Sequence, residues 1–242
     1  MVERTPARLA ALASAVRRCA AASAAEPEVL GLRELVRPGD VCFDIGAAYG
    51  MYSFPLADLV GPRGLVCAFE PQAASRRVLT GCRRLCAADN VRISAAAASS
   101  EAGTLEMVLP VRWGVPIRGH AHPRASGPQS RFATARTWTI PAVSVDEFRE
   151  RHPVGTVRFM KVDVEGFEPA VIRGARRTIE DDHPVLLLEI EARHLRRYGT
   201  TGEEFSSSLR DLGYAMYTWQ HGAWEPTTAV TAERRNYLFA AE

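Results

Sequence analysis

The chain has 242 residues and a formal net charge of +2, with 47% hydrophobic and 24% charged residues. These values are typical of one globular α/β domain with a sizeable core. The small net charge gives no electrostatic reason to expect a nucleic-acid partner.

Nothing in the sequence directs the chain out of the cytoplasm. Arginines interrupt the alanine-rich N-terminus, and no apolar run approaches the roughly 18 residues that span a bilayer. The five cysteines include no CxxC pair, which favours reduced thiols. We therefore expect a cytoplasmic protein without membrane contact.

Two helices are expected ahead of the main domain. Apolar residues recur at helical spacing between residues 6 and 22, and residues 28–36 form a second short helical pattern that Pro38-Gly39 ends. We therefore divide the chain into an N-terminal helical cap, residues 1–37, and a main domain, residues 38–242.

Strands and helices then alternate along the main domain. Strand patterns cover residues 41–45, 65–70, 90–93 and 103–109, and helical patterns cover residues 52–60 and 75–87. This alternation predicts an α/β fold with a parallel sheet and helices on both faces.

Residues 110–137 interrupt this regular pattern. The stretch is rich in glycine, proline, arginine and histidine, and it is too long for a simple connection. We expect either an irregular, lid-like insertion over the active site or a disordered excursion. Its Trp113, His120 and His122 are candidate acceptor contacts, although core packing is the commoner fate of tryptophan.

Regular structure resumes after this stretch. The patterns predict strands at residues 138–143, 157–163 and 184–190, helices at 145–151, 168–179 and 203–212, and final strands at 214–219 and 236–239. The last two strands should pair as an antiparallel edge hairpin. A seven-stranded, mostly parallel sheet with that hairpin accounts for the pattern.

A glycine turn after the first strand predicts a nucleotide site. Asp44 closes the strand, Gly46 and Gly50 allow the turn into the following helix, and Glu70 ends the next strand. Glycine permits close approach of a ligand, and a carboxylate at the end of the second strand can accept hydrogen bonds from ribose hydroxyls. An adenosine-containing cofactor is therefore expected.

The turn has the form DxGxxxG rather than the GxGxxG of dinucleotide sites. Asp44 would repel a pyrophosphate, whereas it would stabilise the positive charge of S-adenosylmethionine. The pattern thus favours S-adenosylmethionine over NAD, and an NAD-dependent oxidoreductase is the less favoured alternative.

Acidic residues also follow two later strands. Asp163 and Glu165 come after one of them, and Glu189 and Glu191 lie at the end of the next. Because ligands bind beyond the carboxyl ends of parallel strands, these side chains should converge on the crevice that holds Asp44 and Glu70. For Glu165 and Glu168, a helix-capping role is favoured over catalysis.

Three segments together are similar to the FkbM family of S-adenosylmethionine-dependent methyltransferases: residues 44–53 (DIGAAYGMYS), 69–71 (FEP) and 161–168 (KVDVEGFE). Further matches include Val145-Asp146, Glu189-Ile190 and residues 212–214, so the resemblance covers residues 38–239. It implies a class I methyltransferase fold, which is Rossmann-like, and O-methylation of sugars, polyketides or other secondary metabolites. Alanine stands at position 48, where the family usually has asparagine.

The resemblance also suggests roles for individual residues. Those assigned to the cofactor are Asp44, Gly46, Ala47, Tyr49, Gly50, Glu70, Pro71, Ala96 and Ala97. Independently of the resemblance, positions at and after the strand ends make Asp163, Glu189 and His194 the candidates for catalysis. Asp163 is the first choice, as a base, a metal ligand or a group that orients the acceptor hydroxyl. For His194 a surface position is the competing interpretation. Asp163, Glu189 and Glu191 could together bind Mg²⁺, although nothing in their spacing demands it.

We therefore expect an S-adenosylmethionine-dependent O-methyltransferase that acts on a hydroxyl of a small-molecule acceptor. A carboxyl O-methyltransferase and a non-catalytic methyltransferase relic that only binds the nucleoside are the alternatives. The sequence leaves open whether the chain forms a homodimer.

Overall fold

The computed structural model describes residues 5–112, 115–116, 122–124 and 135–241. Nine α-helices lie within these residues: α1 Ala7–Ala21, α2 Leu32–Leu35, α3 Ser53–Val60, α4 Ala73–Leu85, α5 Val145–Arg151, α6 Glu168–Gly174, α7 Arg176–Asp182, α8 Ala192–Leu195 and α9 Gly202–Arg210. No described helix is both long and apolar enough to cross a membrane.

The strands of the same residues form two sheets. They are β1 Val41–Ile45, β2 Leu65–Phe69, β3 Val91–Ser94, β4 Ala97–Ala98, β5 Gly103–Arg112, β6 Val115–Pro116, β7 His122–Pro123, β8 Ala135–Val143, β9 Val157–Val162, β10 Val185–Glu189, β11 Tyr214–Gln220, β12 Ala223–Pro226 and β13 Asn236–Ala241.

The main sheet has eight strands in the order β12-β11-β13-β10-β9-β1-β2-β3. The five strands from β10 to β3 run parallel, and β13, β11 and β12 are antiparallel to their neighbours. This arrangement confirms the predicted α/β class and the antiparallel pairing of β11 with β13, but β12, which lies between them in the chain, forms the edge of the sheet. The predicted count of seven strands is one short, because the turn at His221-Gly222 continues into β12.

A second, smaller sheet contains β4, β8, β5 and β6, with β7 paired to β5. The predicted strands at residues 103–109 and 138–143 pair with each other here instead of joining the main sheet. β5 runs on to Arg112, and β8 begins at Ala135, so both ends of the expected insertion are regular strands. Trp113 and His120 lie outside the described residues.

The helix expected over residues 168–179 is broken between α6 and α7. At Gly174 the chain passes so close to the loop after β4 that a Cβ atom would lie 2.0 Å from the carbonyl oxygen of Ser99. This close contact between two segments requires glycine at the break, and periodicity alone did not reveal it.

The core lies on both faces of the main sheet. One cluster of buried side chains joins β1, β9 and β10 to α6, α7 and α9, and the other joins β1 and β2 to α1 and α3. Burial of these apolar faces stabilises the sheet and fixes where its strands end. Trp219 and Trp224 stack edge to face over Gly31 with ring centroids 5.1 Å apart, so they take the packing role expected of tryptophan.

Candidate active site

A cleft opens at the carboxyl ends of β1, β2, β9 and β10, where the ligand of an open α/β sheet is expected. Its charged lining residues are all acidic among the residues described: Glu70, Asp163, Glu165 and Glu189. Apolar side chains of Phe69, Ala97 and Met107 form another wall. The second sheet contributes Met107 and Pro123, so it covers one side of the cleft.

The glycine turn is held tightly against the neighbouring strands. The backbone N–H groups of Gly46 and Ala47 both donate to the carbonyl oxygen of Phe69 at 3.0 Å. Gly46 has φ +86°, and a Cβ atom there would lie 1.9 Å from the carbonyl oxygen of Asp163. Glycine is therefore needed at position 46 both for its backbone conformation and for contact between the two halves of the cleft.

Glu70 joins the end of β2 to this turn. One carboxylate oxygen accepts from the N–H of Ala48 at 2.8 Å, and the other accepts from the N–H of Gln72 at 2.6 Å. Burial raises the pKa of Glu70 to about 6, although these two backbone donors favour the ionised form. Each oxygen retains a further acceptor position, so Glu70 can also accept hydrogen bonds from ribose hydroxyls.

Asp44 lies beneath the turn rather than in the cleft. It is buried, and it accepts a short hydrogen bond from the hydroxyl of Ser53 at the start of α3. Burial raises the pKa of Asp44 to about 6, opposed by the Ser53 hydrogen bond and the charge of Lys161. In this position Asp44 supports the turn. Any electrostatic stabilisation of a bound cofactor by Asp44 would act across the turn and not by direct contact.

Five of the nine residues expected to contact the cofactor line the cleft: Gly46, Tyr49, Glu70, Pro71 and Ala97. The other four lie behind the cleft wall: Asp44, Ala47, Gly50 and Ala96. Gly50, for example, faces Phe54 and Leu79, and a Cβ atom there would clash with both side chains. The roles of all nine residues stay predictions.

The acidic residues after β9 and β10 form a second cluster. Asp163 and Glu189 both line the cleft, and each carboxyl group is close enough to affect the charge of the other. Burial, followed by the neighbouring charge of Asp163, raises the pKa of Glu189 to about 9. The proximity of Asp163 favours the protonated form of Glu189, because two ionised carboxylates would repel.

Glu165 also belongs to the cleft, which corrects the capping role expected for it. It precedes α6, has φ +58° and lines the cleft, and burial raises its pKa to about 8. Glu168 is the residue that stabilises the loop before α6. One of its oxygens accepts from the N–H groups of Val164 and Gly166 at 2.9 and 3.2 Å.

The sequence analysis missed Lys161, the one lysine of the chain. Its ammonium group is fully buried on β9, donates to Asn236 at 2.9 Å and lies 3.5 Å from Asp163. Burial opposes the charged form, but the surrounding carboxylates, Asp163 first, outweigh it and raise the pKa of Lys161. A lone lysine at an interior strand position between acidic residues was the available signal.

Lys161 also connects the site to the N-terminal segment. Its ammonium group lies 5.2 Å from the centre of the Tyr52 ring. Tyr52 donates to Glu26 at 2.6 Å, and Asn236 donates to the same carboxylate at 2.9 Å. A buried network thus extends from residues before β1 to the acidic cluster at the cleft.

His194 lies behind the cluster and not on the cleft surface. It is buried in α8, which corrects the alternative of a surface histidine, and its Nδ1 is 3.1 Å from Glu165. Its Nε2 is 3.9 Å from Glu191. His194 can therefore influence the site through these carboxylates, whereas a direct contact with the acceptor is not evident.

The predicted magnesium ligands are not brought together as a set. Among the described residues, the group with ligand atoms within 4.8 Å of one another is Glu189, Glu191 and His194, without Asp163. Arg193 and Arg235 bind the two oxygens of Glu191 at 2.5 and 3.0 Å. Magnesium prefers oxygen ligands with little competition from cations, so this donor set does not fit Mg²⁺ well.

A family model described as the methyltransferase FkbM domain matches residues 44–216. No curated protein sequence matches the chain. The FkbM methyltransferase of Methylobacillus flagellatus has a similar structure, with a TM-score of 0.54 and 16% identity over 85% of this chain. The chain spans 45% of the length of that protein.

Aeropyrum pernix fibrillarin, solved with bound S-adenosyl-L-methionine, is also similar. Its TM-score is 0.49 and its identity 17%, over 89% of this chain and 74% of the fibrillarin chain. At such identities a structural likeness speaks for the fold alone, so the family match carries the assignment.

Proposed function

The chain belongs to the FkbM methyltransferase family and is an S-adenosylmethionine-dependent methyltransferase, and we propose that it methylates a hydroxyl of a sugar or another natural product. The observation that carries this proposal is that Asp163 and Glu189 both line the cleft beside the glycine turn. A carboxylate in this position can accept the proton of an acceptor hydroxyl.

The residues of the cleft fit the cofactor. The ribose would bind to Glu70, the adenine would contact the apolar wall that contains Phe69 and Ala97, and the methionine end would lie over the turn at Gly46. The cofactor supplies a methyl group on a sulfonium, which a nucleophile displaces in line. Cofactor positions follow from the lining residues and stay part of the proposal.

In the proposed mechanism Asp163 is the base. It accepts the hydroxyl proton of the acceptor as the oxygen forms its bond to the methyl carbon, and the carbon–sulfur bond breaks with its electron pair left on sulfur. The ammonium group of Lys161 lies 3.5 Å from Asp163 and can hold its carboxylate in place. Glu189, whose pKa is raised, can keep its proton and donate a hydrogen bond that orients the Asp163 carboxylate.

The acidic lining favours a hydroxyl over a carboxylate as the acceptor group. Glu70, which is ionised above about pH 6, and Asp163, the proposed base, would repel an anionic acceptor, and no cationic side chain of the described residues lines the cleft to offset them. This electrostatic argument makes the carboxyl O-methyltransferase the weaker alternative. A small-molecule acceptor and a cytoplasmic location stay predictions, and no step above depends on a metal.

A product analysis tests the proposal. The protein would be incubated with methyl-labelled cofactor and a panel of neutral sugars, polyketide alcohols, carboxylic acids and amines. We expect label in a methyl ether that survives mild base. Label that mild base releases as methanol would indicate a methyl ester and contradict the proposal, and so would label on nitrogen.

The Asp163→Asn variant separates catalysis from binding. We expect turnover to fall by about 10²-fold or more, as is typical when a general base is lost, while calorimetry with S-adenosylhomocysteine shows little change. Glu225→Gln, on exposed β12, is the matched control and should leave both unchanged. Cofactor binding without turnover of any acceptor by the unaltered protein would support the relic.

A further inference from the structure

α4 exposes apolar side chains that nothing in the described chain covers. Three large hydrophobic residues are exposed among the residues described: Tyr49 at the cleft, and Val78 and Leu85 on α4, at 48% and 67%. Val78 and Leu85 are seven residues apart, so they lie on the same face of the helix. Ala74 and Gly81 complete this seam with the spacing of a and d positions in a heptad.

Gly81 has no evident role in the packing of this chain. It lies in the interior of α4, where glycine destabilises a helix relative to alanine. A Cβ atom at Gly81 would meet no other atom within 4 Å, and its backbone φ is not positive. A small residue here leaves room for a second backbone to approach the seam closely.

Unpaired arginines flank the seam. Arg76 and Arg83 donate to backbone carbonyls of this chain, including those of Glu70 and Val91. By contrast, Arg77 and Arg84 are exposed and have no hydrogen bond or ion pair with any described residue. They are also seven residues apart, and α4 contains no acidic residue to balance them.

We propose that this face of α4, the seam of Ala74, Val78, Gly81 and Leu85 with Arg77 and Arg84 beside it, docks an acidic amphipathic helix of a partner protein. Aliphatic side chains of the partner would fill the space above Ala74 and Gly81, and its carboxylates would pair with Arg77 and Arg84. A partner so placed would lie next to the cleft, because Gln72 and Ser75 at the start of α4 line it.

Charge distinguishes this partner from other occupants. An antiparallel second copy would place Arg77 and Arg84 against the same residues of its neighbour, and like charges at such positions are unfavourable. Residues 113–134 of this chain contain arginines and no acidic residue, so they do not supply the missing carboxylates. An anionic membrane would require more apolar area than Val78 and Leu85 offer.

The test uses synthetic peptides of about three heptads as the probe. One has leucine at a and d positions and glutamate beside them, a second has the same composition in scrambled order, and a third has lysine in place of glutamate. Binding to the full-length chain is measured by fluorescence anisotropy. We expect the acidic amphipathic peptide to bind at least about tenfold more tightly than either of the others.

Gly81→Leu is the decisive variant. It fills open space on the seam and improves helix propensity, so we expect an unchanged or higher melting temperature together with at least about tenfold weaker peptide binding. Arg77→Glu with Arg84→Glu should transfer the preference to the lysine peptide. Arg173 is an exposed arginine on α6, and Arg173→Glu is the matched control. It should change neither the affinity for the acidic peptide nor the preference over the lysine peptide.

Several outcomes would overturn the proposal. The ordered and scrambled acidic peptides could bind equally well, or Gly81→Leu could leave the affinity for the acidic peptide unchanged. The chain could also bind phosphatidylserine vesicles more tightly than the acidic peptide, through Val78 and Leu85. Sedimentation that shows a dimer which Gly81→Leu dissociates would assign the seam to self-association instead. The docking proposal does not depend on which acceptor is methylated. Failure of the docking proposal therefore leaves the proposed function standing, and failure of the proposed function leaves the docking proposal standing.

Discussion

The two halves of the cleft hold their carboxylates in different ways. On the side of β1 and β2, Glu70 and Asp44 accept hydrogen bonds from residues within 22 positions in the chain, namely the N–H groups of Ala48 and Gln72 and the hydroxyl of Ser53. On the side of β9 and β10, the carboxylates contact one another and cations. One of these cations, Lys161 of β9, lies two residues before Asp163, and another, Arg235, lies 44 positions after Glu191.

This difference separates a preorganised site from an adjustable one. Backbone donors stabilise the carboxylate of Glu70 in one orientation, which suits a cofactor that is always the same. Asp163 and Glu189 line the cleft together, and the raised pKa of Glu189 lets this side of the cleft change its charge state, which suits an acceptor that must lose a proton. The four predictions below test this comparison.

The largest effect is expected at the contact between the two halves. Gly46→Ala would place a Cβ atom 1.9 Å from the carbonyl oxygen of Asp163, in a left-handed conformation. We expect a loss of about 4 kcal/mol or more in the free energy of unfolding, measured with urea. Gly39→Ala is the control, because Gly39 has φ +96° but no atom within 4 Å of its Cβ position.

The control variant should lose only the conformational part, about 1 to 2 kcal/mol. The difference between the two variants then measures the tertiary contact. Equal losses would mean that the halves are not coupled through this turn.

Removal of the buried cation should rank second. Lys161→Met leaves Asp163, Asp44 and Glu189 without their shared positive neighbour, and we expect a loss of about 3 to 5 kcal/mol in unfolding free energy at pH 8. The loss should shrink at pH 5.5, because the remaining carboxyl groups can then bind protons. Arg33→Met, an exposed cation, is the control and should change stability by less than about 0.5 kcal/mol. An unchanged stability of Lys161→Met would contradict the role of the ammonium group.

Glu70 should control how cofactor affinity depends on pH. Its pKa is raised to about 6, so the carboxyl group is protonated below that pH and is a poorer acceptor for ribose hydroxyls. We expect S-adenosylhomocysteine to bind more tightly as the pH rises through 6 and then to level off, measured by calorimetry from pH 5 to 8. Glu70→Gln should weaken binding by about 1 to 3 kcal/mol at pH 8 and flatten this dependence.

The same shift has the opposite sign for folding without a ligand. A carboxyl group whose pKa is raised on folding contributes stability below its unfolded pKa, and this contribution is lost as the pH rises through about 6. If the Glu70→Gln variant has the same cofactor affinity and the same pH profile as the unaltered protein, Glu70 does not contact the cofactor.

The smallest effect is expected at Ala48. Its φ of +44° is unfavourable for alanine and tolerated by asparagine, the residue that the FkbM family usually has there. Ala48→Asn should therefore raise the unfolding free energy by about 1 kcal/mol. Ala87→Asn is the matched control, because Ala87 has φ +51° at the end of α4. Both should gain stability, and an effect of Ala48→Asn on cofactor affinity that Ala87→Asn lacks would place residue 48 at the site.

The sequence by itself determined the α/β class, seven of the eight strands of the main sheet, and the glycine turn and carboxylate on the β1 and β2 side of the cleft. These features depend on local patterns: a buried strand, a glycine turn and a carboxylate at the end of the next strand. Glu70 and Gly46 could be assigned because most of their contacts lie nearby in the chain. The family resemblance of residues 44–53 and 161–168 has the same origin, and the match over residues 44–216 confirms it.

Only the tertiary structure decided the composition of the acceptor half. Lys161, Glu26 and Asn236 meet across as many as 210 positions of the chain, and no periodicity shows such a contact. Burial, which depends on the whole fold, separates Glu165 in the cleft from Glu168 in the loop and places His194 behind the cluster. Charged side chains gain their roles from desolvation and from their neighbours, and a linear sequence specifies neither until the chain has folded.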